Sequence, residues 1–184
     1  MLLATLTDLK DFLNITNTDS DAILTNLLTK VSKRVETWLN RLIEKSARSK
    51  YYDAGRRLYY LPAYPIDTSA ALTVYWQDQL QTVNSDYWVW DEEGMIEMYT
   101  LYEKTEPREI LIGWTGGYST VASLPEDMQL GVVMQTAFIF KSKKNIGISS
   151  ISLPDGSMSM NTPLQLLPEV KDILRPYRRL PGMN

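Results

Sequence analysis

The sequence predicts an α+β fold: a small helical bundle, with a long N-terminal helix and later helices, carrying an inserted antiparallel β meander. Three observations lead there. Apolar residues at Ile23, Leu24, Leu27, Leu28, Val31, Val35, Trp38, Leu39, Leu42 and Ile43 keep one helical stripe without Gly or Pro. Short runs of β-branched and aromatic residues, separated by turn residues, fill the middle of the chain. A second helical pattern then begins at Pro125. Strands grouped between helices, rather than alternating with them, define the class.

In chain order, Leu9, Phe12 and Leu13 give a short first helix one apolar face, and Thr7 is the expected cap. Asp19, Ser20 and Asp21 supply a capping cluster for the long helix. From Tyr51 the period changes. The expected strands are Tyr51–Ala54, Arg57–Leu61, Leu72–Trp76, Tyr87–Trp90, Met95–Leu101 and Glu109–Thr115, with a polar turn at Gln77-Asp78-Gln79. Met128, Val132, Val133, Thr136, Ile139 and Phe140 form the stripe of the next helix, in which Gly131 would let another helix approach closely. Gly147 to Thr162, rich in Ser, Met, Asn and Gly, reads as flexible or hairpin-like. Pro168–Leu174 makes a last short helix, stopped by Pro176.

The 184 residues are expected to form a single domain. Within it, 1–50 and 121–146 form the helical core, 51–120 the β insertion, 147–167 a flexible segment, and 168–184 a C-terminal docking helix and tail.

Composition narrows the chemistry. The chain has no Cys and no His, which excludes disulfides, Cys/His zinc sites, thiol nucleophiles and His-dependent triads. No catalytic group, cofactor or metal site suggests itself. No apolar stretch reaches the roughly 20 residues a bilayer needs, and Met1–Ala4 lacks the basic start of a signal peptide. The expectation is a protein made in the cytoplasm, without a membrane partner.

The net charge of −3 hides a division. Residues 1–50 carry eight basic and six acidic groups, 51–120 four and eleven, and 121–184 seven and five. Four of five Trp and ten of eleven Tyr also lie in the middle segment. That acidity argues against a stacking surface for single-stranded nucleic acid, which needs a cationic groove.

Individual constellations have plain readings. Asp91-Glu92-Glu93 lacks EF-hand spacing and reads as a solvated hairpin turn. Gly113 to Tyr118 lacks both phosphate-loop registers, so its glycines serve a tight turn. Alternation puts Trp88 and Trp90 on one face of a strand and Tyr87 and Val89 on the other. One face would be core and the other a protein interface, or else both would be internal. Leu174 to Pro181 mixes Tyr177 with Arg175, Arg178 and Arg179, a binding surface or simply a basic helix end.

The order of these pieces resembles the head–tail connector (adaptor, or head-completion) proteins of tailed bacteriophages. Thr5 to Ile15 leading into Asp19 to Leu28 resembles the family's opening, and Trp38-Leu39-Asn40-Arg41 its helix-ending turn. Leu61-Pro62 with Tyr64-Pro65-Ile66, then Ile112 to Tyr118, Leu124 to Met128 and Pro168 to Arg179, resemble its later segments. Trp114 and Met128 depart conservatively, whereas 14–19 and 147–162 are less family-like.

The resemblance implies a structural virion protein in a ring under the portal vertex, extending the DNA channel and joining the capsid to the tail. The alternative is another neck or tail ring protein, a tail terminator or a head-closure (stopper) protein. Implied partners are the portal, neighbouring copies (twelve by resemblance), a head-closure or tail protein, and genomic DNA passing without sequence recognition. The implied location is the virion neck, with the host cytoplasm during assembly. Ile173, Leu174, Arg175, Tyr177, Arg178 and Arg179 are the expected portal contacts, and Trp88, Trp90 and Tyr99 the expected contacts with a subunit or neck protein.

Overall fold

The computed structural model describes residues 1–142, 150–153, 156–159 and 165–179. It divides into two compact units: Met1–Leu39 with Thr120–Arg178, and Asn40–Ser119 with Arg179–Asn184.

The first unit is helical. Helix α1 (Leu6–Leu13) starts earlier than expected because its cap is Thr5, not Thr7. The Thr5 hydroxyl accepts the Asp8 amide at 3.1 Å while the Asp8 carboxylate takes the Thr5 amide. That reciprocal box needs an acceptor three residues after the cap, and Thr7 is followed there by Lys10. Helix α2 (Asp21–Leu39) buries Leu24, Leu28, Val31, Val35 and Leu39. It ends before Leu42 and Ile43, where Asn40 turns to φ +52.

Helix α3 (Glu126–Lys141) follows Pro125 as expected and packs against α1, α2 and α4 (Pro168–Leu174). A Cβ at Gly131 would stand 3.3 Å from Leu174, so this glycine does admit a neighbouring helix. Gln135, fully buried in α3, holds the approach to α4 from both sides. Its amide nitrogen donates to Gln165 O (3.1 Å), and its oxygen accepts the Leu167 amide (2.8 Å).

The second unit is β. Strands β1 (Ser46–Tyr52), β2 (Leu58–Tyr60), β3 (Thr73–Trp76), β4 (Gln79–Gln81), β5 (Tyr87–Trp90), β6 (Met95–Met98) and β7 (Ile110–Gly116) pair antiparallel throughout. They form two sheets, β1-β7-β3-β4 and β2-β6-β5. Both sheets point apolar residues into one core, including Tyr59, Val74, Tyr87, Ile96, Met98, Ile110, Ile112 and Trp114. Strand β7 alternates strictly, with Ile110, Ile112, Trp114 and Gly116 buried.

Two features escape the sequence pattern. Strand β1 starts at Ser46, ahead of Tyr51, because its polar residues pair with β7 at an edge. Gln79 is strand rather than turn, since Gln77 and Asp78 alone, at φ +45 and +62, close a two-residue hairpin.

In the first unit, β8 (Ser150–Leu153) and β9 (Gly156–Ser159) pair antiparallel, the hairpin form of the two readings of 147–162. The remainder of that segment, 143–149, 154–155 and 160–164, and the tail from 180, lie outside the described residues.

Candidate interaction surfaces

The β2-β6-β5 sheet has an apolar inner face and an aromatic outer one. Register aligns Leu58, Glu97 and Trp88 in one row, and Tyr60, Met95 and Trp90 in the next. Trp88, Trp90 and Tyr99 are each more than 40% exposed, while Tyr87, Ile96 and Met98 between them are buried. Thus the residues singled out from alternation share an exposed face, and Tyr87 is core. The Trp90 indole donates to the Glu97 carboxylate at 3.3 Å, which fixes one ring. Beside Trp88 lies an open hollow of about 380 Å³ lined by Ile66, Ala70, Leu72 and Val83 among others. Exposed apolar surface of this kind marks interaction sites more often than solvent-facing decoration.

The C-terminal residues fare differently from one another. Leu174 is fully buried against Gly131, and Arg179 is 5% exposed. Arg178 donates from Nε to Trp38 O at 3.1 Å, with its guanidinium 4.8 Å from the Trp38 ring. Arg175 pairs with Asp172 at 2.7 Å and remains exposed, while Ile173 and Tyr177 are half-buried. Of the six expected contacts, Ile173, Arg175, Tyr177 and Arg178 therefore keep accessible surface. Val170 and Leu174 are fully buried, so α4 packs as part of the helical unit.

Sequence reasoning missed a buried cationic cluster in the β unit. Arg41 lies 3.3 Å from the centre of the Tyr64 ring and donates to Tyr64 O. Arg179 faces the same ring at 4.6 Å and donates to the carbonyls of Leu61, Glu93 and Gly94. Neither forms an ion pair with a carboxylate among the described residues. Burial pushes both guanidinium pKa values down, with the nearby tyrosines opposing it. Burial also pushes the Tyr52 hydroxyl up to about 12, partly offset by Arg179. These groups tie loops together through carbonyl oxygens and π-faces. The only signal in sequence was the company of tyrosines, since hydropathy places Arg outside.

The glycines after β7 serve close backbone approach. Gly117, at φ +102, would place a Cβ 2.5 Å from Ile43 O, and its amide donates to Pro65 O at 2.9 Å. Asp91–Gly94 forms the β5–β6 turn, with Asp91, Glu92 and Glu93 exposed and Gly94 buried. Among the described residues, no group of acidic side chains is disposed to hold a metal ion. No helix there is long and apolar enough to cross a membrane.

The chain thus combines a helical unit with a β unit that exposes an aromatic sheet face. Residues 2–180 match the model of the family described as "Head completion protein", and the chain belongs to that family. No curated protein sequence matches it significantly.

Among solved structures it is similar to a chain of the "Neck of empty GTA particle computed with C6 symmetry". The TM-score is 0.58 at 17% identity, covering 96% of this chain and 90% of that one. It is likewise similar to a chain of the "Neck of native GTA particle computed with C12 symmetry", with TM-score 0.57, 16% identity and the same coverage. A chain of the "Virion of native gene transfer agent (GTA) particle" aligns at TM-score 0.52 and 16% identity, over 89% and 82% of the two chains. At these identities the likeness is one of fold.

Proposed function

We propose that this head-completion protein is an assembly component without enzymatic activity. Its copies close into a ring under the portal vertex, prolong the DNA channel and join the capsid to the next neck or tail protein. The observation that carries the reading is the family match across residues 2–180. The fold shared with chains of symmetric necks supports a ring, of twelve copies in this reading. The same support favours the virion neck as its place, reached from the host cytoplasm during assembly.

Portal docking falls to the accessible C-terminal side chains Ile173, Arg175, Tyr177 and Arg178, whereas Leu174 is buried in the core of the helical unit and Arg179 in the β unit. Trp88, Trp90 and Tyr99 face a neighbouring subunit or neck protein, where aromatic residues are enriched. Genomic DNA passes without sequence recognition.

The test is a gene deletion combined with complementation. Particles lacking the protein should accumulate as heads without tails, and the complemented neck should show a closed ring of this chain against the portal. Normal joining without it, or its absence from the neck, sinks the reading. Reversing charge at Arg175 and Arg178 should weaken capture by purified portal while the thermal transition persists; undiminished capture removes the C-terminal assignment.

A further inference from the structure

Lys50, Arg56 and Arg108 line a surface cavity of about 220 Å³ together with Tyr51, Tyr52, Tyr59 and one acidic residue, Asp53. The Asp53 carboxylate is already engaged: it accepts Lys104 Nζ and the Arg108 amide, each at 2.9 Å. Those bonds, the Lys104 contact first, hold its pKa below the usual carboxylate range. The Lys50 amine stands 4.8 Å from the centre of the Tyr52 ring. Burial pushes its pKa down, and Arg179 pushes it further. Neither Lys50 nor the Arg108 side chain forms an ion pair among the described residues. A small, aromatic-walled cationic cavity of this kind suits a compact anionic group.

The same chain carries a matching group. Asp91, Glu92 and Glu93 are consecutive, exposed and outside every ion pair among the described residues. The turn that presents them is rigid. Asp91 O accepts the Ile66 amide at 2.9 Å and the Gly94 amide at 3.2 Å. Arg179 holds the Glu93 and Gly94 carbonyls from within. The carboxylates thus project from a fixed tip, so little ordering cost attends their docking.

We propose that this cavity is the socket for the Asp91–Glu93 turn of a second copy of the chain, so that each copy plugs one neighbour and receives another. The inference rests on the ring reading and supplies its contact. Plug and socket are different surfaces, so the contact is heterologous, the type that generates rings. Like-on-like pairing would set carboxylates against carboxylates, and such juxtaposition costs several kcal/mol. A nucleic-acid phosphate is the weaker occupant, because residues 51–120 carry eleven acidic groups against four basic ones and would repel a polyanion.

The absence of native cysteine gives a clean test. Particles carrying both Glu92→Cys and Arg56→Cys are treated with a short bismaleimide and run on a denaturing gel. A covalent ladder rising to the full ring, absent from either single variant, is expected. Dimers from Glu92→Cys alone would mean like-on-like contact and overturn the socket. A neck ring seen by electron microscopy without a ladder also overturns it, yet leaves the ring reading intact; no ring at all sinks the ring reading itself.

Charge reversal supplies the second arm, with unchanged thermal transitions as the folding control. Lys50→Glu with Arg56→Glu, or Asp91→Lys with Glu92→Lys, should each abolish incorporation into necks, and the combination should restore it. If the cationic-side reversal leaves the ring intact and only weakens DNA retention, the cavity binds phosphate and the proposal is wrong.

Discussion

The helical and β units solve the same problem, burying polar groups, with opposite chemistry. In the helical unit Gln135, fully buried, is neutral, and its amide nitrogen and oxygen each have a backbone partner. In the β unit the corresponding groups are two guanidinium ions, Arg41 and Arg179, held by carbonyls and the Tyr64 ring. Helices satisfy their own backbone, so one amide suffices where α4 is approached. Long crossing loops leave many carbonyls facing inward, and a planar cation with five N–H donors can collect several of them. Loop-rich structure tolerates these cations because it supplies acceptors that helices use internally.

The two units differ most in what their glycines face. At Gly116 and Gly117 in the β unit a Cβ would meet backbone first, whereas Gly131 in α3 meets a side chain, Leu174. Gly117→Ala combines a left-handed backbone at φ +102 with a Cβ placed 2.5 Å from Ile43 O. We expect a loss of about 3 kcal/mol, seen as a midpoint about 6–12 °C lower in thermal denaturation. Gly131→Ala should change the midpoint far less, because Leu174 can shift and alanine favours the helix. Equal effects at the two positions would erase the distinction.

In the helical unit the sensitive position is the buried amide of Gln135. Gln135→Leu keeps the volume close but strands the Leu167 amide and the Gln165 carbonyl. The expected cost is about 1–3 kcal/mol, read in the denaturant midpoint, with faster hydrogen exchange of the Leu167 amide. Unchanged exchange would show that the amide is protected by other means.

These contrasts also explain what was legible in the sequence. Helix α3 and helix α4 could be located from Pro125, Pro168 and the apolar stripe because helical contacts repeat at short intervals. Trp88 and Trp90 could be assigned a common face because strand alternation is local too. The pairing of β1 with β7 joins residues more than fifty positions apart, and nothing in Ser46 to Lys50 advertises it. Leu42 and Ile43 continue the stripe of α2 yet serve the β unit, where the Leu42 amide donates to Pro62 O at 2.7 Å. Arg179 stood in a run that looked like a basic helix end; only the carbonyls gathered around it reveal a buried cation.

The smallest expected effect concerns pH and is confined to the β unit. Asp67 accepts Lys45 Nζ at 2.8 Å and both the amide and hydroxyl of Ser69, at 3.0 and 2.6 Å. The Lys45 contact first, then the Ser69 bonds, hold its pKa at about 2, against an ordinary value of 3.8. A depressed carboxylate stabilises the fold above its unfolded pKa, and that contribution is lost as pH falls through the folded value. The window is therefore about pH 4 down to pH 2. Four of the five tryptophans lie in the β unit, so fluorescence reports mainly on it and far-ultraviolet dichroism on the helices. The fluorescence transition should move to lower temperature across this window, and Asp67→Asn should flatten the dependence. An unaltered slope in the variant would assign the acid sensitivity elsewhere and leave the Lys45–Asp67 pair without a measurable part in holding the loop.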